Sequence, residues 1–142
     1  QGPCYTTPVM AWLGTPSGVT LGTGGTSQAY YHISDKYQHF RYFATLGSSG
    51  YYVDASTMSL PIARSGYPSG YVITVGRATY YASNGGLIRF GGLTLSSTTM
   101  TLRVLKRAGD LDMQWAALAP TAPFTWANGD TIALEGSVFL GG

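Results

Sequence analysis

The last third of the chain most constrains what it can fold into. From Met100 it reads Thr101-Leu-Arg-Val-Leu-Lys-Arg107, a turn at Ala108-Gly-Asp-Leu-Asp112, then Met113-Gln-Trp-Ala-Ala-Leu118. After a Pro-rich corner it closes with Trp126-Ala-Asn-Gly-Asp-Thr-Ile-Ala-Leu-Glu-Gly-Ser-Val-Phe-Leu-Gly-Gly142. Apolar and polar residues alternate with period two, and Gly, Asp, Asn or Pro bound each segment, which is the pattern of strands joined by tight turns. The apolar closing stretch predicts a last strand tied into packing, read here as half of a hairpin over 125–140.

The remainder of the chain extends the pattern. Residues 4–27 read as an extended lead-in with one or two short strands anchored by Met10, Trp12, Val19 and Leu21. Gln28-Ala-Tyr-Tyr-His-Ile33 and Tyr37–Leu46 flank a break at Ser34-Asp-Lys36. Their aromatic and β-branched weighting favours a hairpin over a short helix. Tyr71–Val75 leads through Arg77 to Tyr81, and Leu87–Phe90 returns across Ser83-Asn-Gly-Gly86, where Asn84-Gly85 predicts a type I′ turn. Gly91-Gly92 reads as a bulge before Leu93-Thr-Leu95. About eight or nine short strands at this spacing predict an all-β antiparallel sandwich, jelly-roll-like, with a sandwich of other topology as the neighbouring alternative.

Composition narrows the class. The 142 residues suit one domain that buries roughly 68–70% of its unfolded surface. Gln1-Gly-Pro3 resembles the residues around a rhinovirus-type protease site, so 1–3 read either as a tag remnant or as a natural processed terminus, with a single domain over 4–142. Charged residues make up 10% of the chain, against about 25% in typical domains, and 20 Gly and 11 Tyr replace them. Net charge is +2. Its densest basic spot splits by alternation, Arg103 and Arg107 to one face and Lys106 to the other, which disfavours a nucleic-acid partner. Cys4 is the one cysteine and cannot close an intramolecular disulfide. No apolar run is long enough for a membrane span, and no secretory leader pattern is present.

Chemistry-bearing patterns are sparse. His32, His39 and Asp35 lie among serines, but no Gly-x-Ser-x-Gly elbow places a nucleophile, and the histidines read as ordinary strand residues. Asp110, Asp112 and Asp130 sit in expected turns, where Asp is favoured for backbone reasons. Asp110 and Asp112 could offer oxygens to calcium, yet the turn reading is preferred, and no metal or other cofactor is expected. The tyrosines are more suggestive. In each adjacent pair, Tyr51-Tyr52 and Tyr80-Tyr81, one ring is expected to face outward. Residues 54–70 read as a long surface loop, and loops on a rigid β-scaffold are where binding residues concentrate. The candidate ligand site is therefore Tyr67 and Tyr71 as stacking platforms, Arg64 as a polar clamp and Asp54 as a hydroxyl acceptor, with Tyr52 beside them.

This Gly/Ser/Thr/Tyr-rich, charge-poor strand pattern, together with the closing segment Thr125–Leu140, resembles the C-terminal receptor-binding head or tip domains of bacteriophage tail fibres and related virion proteins. The resemblance implies a homotrimer on the virion that attaches, without catalysis, to a host-surface polysaccharide or protein receptor. It transfers no catalytic or metal residue, and residues 4–27 lack the His-x-His motif or coiled-coil lead-in that some such domains carry. Two other classes stay open. One is a capsid or decoration protein with an assembly role. The other is a polysaccharide-degrading enzyme or its carbohydrate-binding accessory domain, which would need converging carboxylates.

Overall fold

The structure, a computed structural model, describes residues 9–12, 15–63, 72–96, 98–107, 109 and 112–140. Among them it is an all-β, antiparallel, sandwich-like fold with no helix. Eleven strands follow in chain order: β1 (Met10–Ala11), β2 (Val19–Thr20), β3 (Thr26–Ser34), β4 (Tyr37–Thr45), β5 (Tyr52–Val53), β6 (Thr57–Ser59), β7 (Val72–Ala82), β8 (Leu87–Ser96), β9 (Thr99–Arg107), β10 (Met113–Ala117) and β11 (Thr131–Phe139). One large sheet runs β1-β3-β4-β11-β7-β8-β9-β10, with β6 also paired to β9, and β2 pairs with β5 in a small second sheet.

The β3–β4 hairpin forms as its composition requires. Ser34 pairs with Tyr37 across a two-residue loop, in which Asp35 takes φ 59°. Alternation along β4 then sends Phe40, Tyr42 and Ala44 into the core and Tyr37, Arg41 and Phe43 outward. Inward side chains from β4, β7, β8, β9 and β11 meet Val19 and Val53 of the small sheet in one hydrophobic cluster. Burial pushes the pKa of the Tyr42 hydroxyl up to about 12, a hydrogen bond with Ser27 opposing the shift.

Three expected details are corrected. The closing stretch is not a hairpin: β11 inserts between β4 and β7 and bonds to both. Alternation identifies a strand but does not name its partner. The Gly91-Gly92 pair is not a bulge, since β8 runs through it in register and the irregularity lies in β7 between Thr74 and Gly76. These glycines instead clear space on opposite faces. A Cβ on Gly91 would stand 1.9 Å from the Arg103 carbonyl oxygen and 2.9 Å from the Tyr80 ring, and one on Gly92 would stand 2.8 Å from the Trp115 ring. Tyr80 uses its opening to donate a 3.0 Å hydrogen bond to the Arg103 carbonyl, and its burial raises the hydroxyl pKa strongly. The third correction concerns the β7–β8 turn. Ala82 pairs with Leu87 over a four-residue loop, and the positive φ angles fall on Gly85 (97°) and Gly86 (67°) rather than on Asn84-Gly85.

The long loop expected at 54–70 is ordered structure in its first half. Thr57–Ser59 pairs with β9, Met58 and Leu60 enter the core, and Ser56 is buried. Gln38, fully buried, donates to the Ile62 carbonyl at 2.9 Å and accepts from the Ile62 amide at 3.0 Å, tying this segment down to β4. Such reciprocal pairing is what makes a buried amide tolerable.

Asp130 organises the opposite end. Its carboxylate accepts from the Ser83 amide (2.9 Å), the Ser83 hydroxyl (3.1 Å) and the Ala127 amide (2.7 Å), locking the turn before β11 to the end of β7. Asp130→Ala would orphan the Ser83 and Ala127 amides, the Ser83 hydroxyl keeping the Asn128 carbonyl at 3.0 Å, and should cost roughly 1.5–3 kcal/mol, read by urea denaturation. Gly85→Val should cost roughly 1–3 kcal/mol in the same assay, because a β-branched residue resists positive φ.

Candidate ligand-binding site

The outward side chains of β3, β4, β11 and β7 stand in rows set by strand register. Tyr30 pairs with Arg41, Arg41 with Glu135 and Glu135 with Arg77, so one row crosses four strands. The next row holds His32, His39 and Ser137. Between these rows and Val9 lies an open cleft of about 500 Å³. That volume falls in the range of small-ligand sites.

Five of these side chains are held by their neighbours. The His32 and His39 rings stack across the hairpin with centroids 4.8 Å apart and planes inclined by 20°. His39 Nδ1 lies 2.7 Å from the Ser137 hydroxyl. Arg77 Nε donates to Glu135 at 2.6 Å, and its Nη2 reaches the same carboxylate oxygen. Both partners are solvent-accessible, so the pair sets geometry more than stability. The cleft thus gathers flat rings, hydroxyls, a guanidinium and a carboxylate on strands rather than loops, the mixture a polyhydroxylated ligand can use.

His39 and Ser137 are at the distance of a base and a nucleophile. A working triad also needs an acid on the other side of the imidazole. Here the ring next to His39 is His32, and Glu135, the carboxylate on the same face, is held by Arg77. Ser137 also sits within β11, not on the sharp turn that exposes a nucleophile. Among the described residues, no group of three or more His, Cys, Asp or Glu comes together as a metal would require.

Of the residues expected to bind ligand, Tyr52 and Asp54 fall among the described residues, and neither lines this cleft. Val53 is in the core while Tyr52 turns outward from the small sheet, 51% exposed. Its hydroxyl donates to Asp54 Oδ2 at 3.0 Å, and Asp54 Oδ1 accepts from the Ala55 amide at 2.8 Å. Asp54 is therefore occupied locally, and its bond and charge raise the Tyr52 pKa. Arg64, Tyr67 and Tyr71 lie outside the described residues, as does Asp110. The cleft residues Tyr30, His32, His39, Arg41, Glu135 and Ser137 were not singled out by sequence reasoning as a ligand site. A signal for part of the set existed: counting outward from the Asp35-Lys36 turn pairs His32 with His39.

No family model matches the chain, and comparisons with curated proteins and with solved structures return no match.

Partial burial, then the neighbouring His32, lowers the His39 pKa below the ordinary 6.5. The unfolded chain therefore binds the proton more readily, and this contribution to stability is complete above the ordinary value and lost as pH falls through the folded one. Thermal melts should show a lower melting temperature at mildly acidic than at neutral pH. His32→Gln, which removes the charge repulsion, should shrink that difference.

Proposed function

We propose that this chain is a non-catalytic attachment module of a virion, of the tail-fibre tip kind, working as a homotrimer that binds a host cell-surface polysaccharide or protein receptor. The observation that carries the reading is the outward row Tyr30–Arg41–Glu135–Arg77 beside the stacked histidines. It offers ring faces, donors and acceptors on a rigid sheet, so little conformational entropy is lost when a ligand docks. The low charge of the chain is in keeping with this, since recognition through hydroxyls and rings needs little electrostatic steering. The virion setting is supported by the strand-rich, charge-poor, Gly- and Tyr-rich character of the sequence. A polysaccharide is the favoured ligand class, because the cleft is open and its polar groups alternate with rings.

A second reading, an assembly role in a capsid, is favoured by the exposed apolar side chains on the same sheet, among them Phe43 and Phe90.

A glycan array probed with the intact protein tests attachment. Binding to one polysaccharide class is expected, with Tyr30→Ala and Arg41→Ala each weakening it by about tenfold, equivalent to about 1.4 kcal/mol. Added salt should change the signal little, as charge screening matters least for neutral contacts. Equal binding by the parent and these folded variants would remove the cleft from the reading. Loss on Arg64→Ala or Tyr67→Ala instead would move the site to the 54–70 loop.

A further inference from the structure

Beyond the cleft, the outer face of the large sheet changes character. Phe43, Ile88, Phe90, Leu105, Met113 and Trp115 are each 40–63% exposed. Strand alternation and register put all six on one face, continuous from β4 to β10. Gly92 lets the Trp115 ring lie across β8 on this side. At roughly 200 Å² for a large side chain, these exposures amount to on the order of 600 Å² of apolar surface. A monomer's largest patch seldom exceeds that. A standard interface takes about 800 Å² from each partner, a little over half of it apolar, so this face alone can supply the apolar part.

The relief of the face suggests what covers it. Phe43 pairs with Ala133, Ala133 with Thr79 and Thr79 with Phe90, giving one row of large, small, small, large side chains. Strands lie about 4.8 Å apart, so the two phenylalanines stand about 14 Å apart over a two-strand trough. That spacing leaves room for one phenyl ring between the two flanking ones. Phe90, at 63% exposed, is the most prominent knob of the row. If a second sheet of the same kind is laid face to face and turned by half a revolution, Phe90 of each copy drops over Ala133 and Thr79 of the other. Knob and trough then match reciprocally, which is the condition for a self-complementary interface.

We propose that this apolar face is the seat of a second copy of this chain, with Phe90 docking in the partner's trough over Ala133 and Thr79. The proposal does not rest on the attachment reading, since Tyr30 lies in the cleft and Tyr30→Ala should keep the parent's mass whatever the array shows. Light scattering on the full chain at micromolar concentration tests it. The expected mass is twice 15.0 kDa, since a half-turn seat joins chains in pairs, and the three-chain mass of the attachment reading would overturn the proposal. Phe90→Ser should bring it to that of one chain, with an unchanged circular dichroism spectrum, because Phe90 takes no part in the core. Thr79→Gln fills the trough while leaving all six apolar side chains in place, and should weaken association at least tenfold. Tyr52→Ser, on the small sheet, should leave the mass as it was. A single-chain mass for the parent would overturn the proposal, and so would a Phe90→Ser variant that stays associated. A Thr79→Gln variant that associates like the parent would also overturn it, since unspecific stickiness would not notice the filled trough.

Discussion

The structure depends on β11 lying between β4 and β7. Without it the large sheet falls into two pieces, the β1-β3-β4 group and the β7-to-β10 meander, which share no other edge among the described residues. β11 pairs with β4 along Thr131–Phe139 and with β7 along Thr131–Gly136. Its inward side chains Ile132, Leu134 and Val138 are almost wholly buried, so the same strand also fills the middle of the core. A strand bonded on both edges and buried on one face makes the two pieces one cooperative unit. Its partners in β4 are distant in sequence, so loop-closure entropy must be overcome before the sheet is complete, a topology associated with slow folding.

Close approach at this junction is made possible by glycine. Gly136 of β11 faces Gly76 of β7, and a Cβ on Gly136 would lie 2.7 Å from the Phe40 ring and 3.1 Å from the Gly76 Cα. The absence of side chains lets Phe40 lie under β11 where β7 becomes irregular. The same device recurs at Gly91, whose bare backbone the Tyr80 ring crosses to reach β9. Glycines inside a strand weaken it locally. Here each one admits an aromatic ring that packs across a neighbouring strand, and the burial of that ring offsets the loss.

Much of this was legible in the residues. Residue weighting located β3 and β4, period-two alternation located β9 and β10, and alternation required one ring of the Tyr80-Tyr81 pair to face outward, which is Tyr81. Partner choice was less legible, because alternation is a property of one strand and pairing is a property of two. That is why the closing segment read as a hairpin and why Gly91-Gly92 read as a bulge, when its meaning lies in the Tyr80 and Trp115 rings. The segment after Asp54 looked like a loop because β6 is three residues long and its anchor, Gln38, is a polar residue from a remote strand. The cleft was hidden for a related reason. Tyr30, His39, Arg41, Glu135 and Ser137 are unremarkable singly and are joined only by the register of three strands.

That register also divides the outer face. Every second residue of β11 projects there, from Thr131 through Ala133, Glu135 and Ser137 to Phe139. Ser137 and Glu135 face the cleft, whereas Ala133 forms the floor between Phe43 and Phe90. The ion pair of Glu135 with Arg77 stands at the boundary, polar groups on one side and exposed phenylalanine on the other. Charged groups are depleted from the centre of protein interfaces and tolerated at the rim. An Arg–Glu pair at the edge of the apolar half can remain hydrated while that half is covered, and it keeps the neighbouring cleft open to solvent. One strand thus carries a polar recognition surface and an apolar packing surface side by side, and a ligand in the first need not compete with a partner on the second.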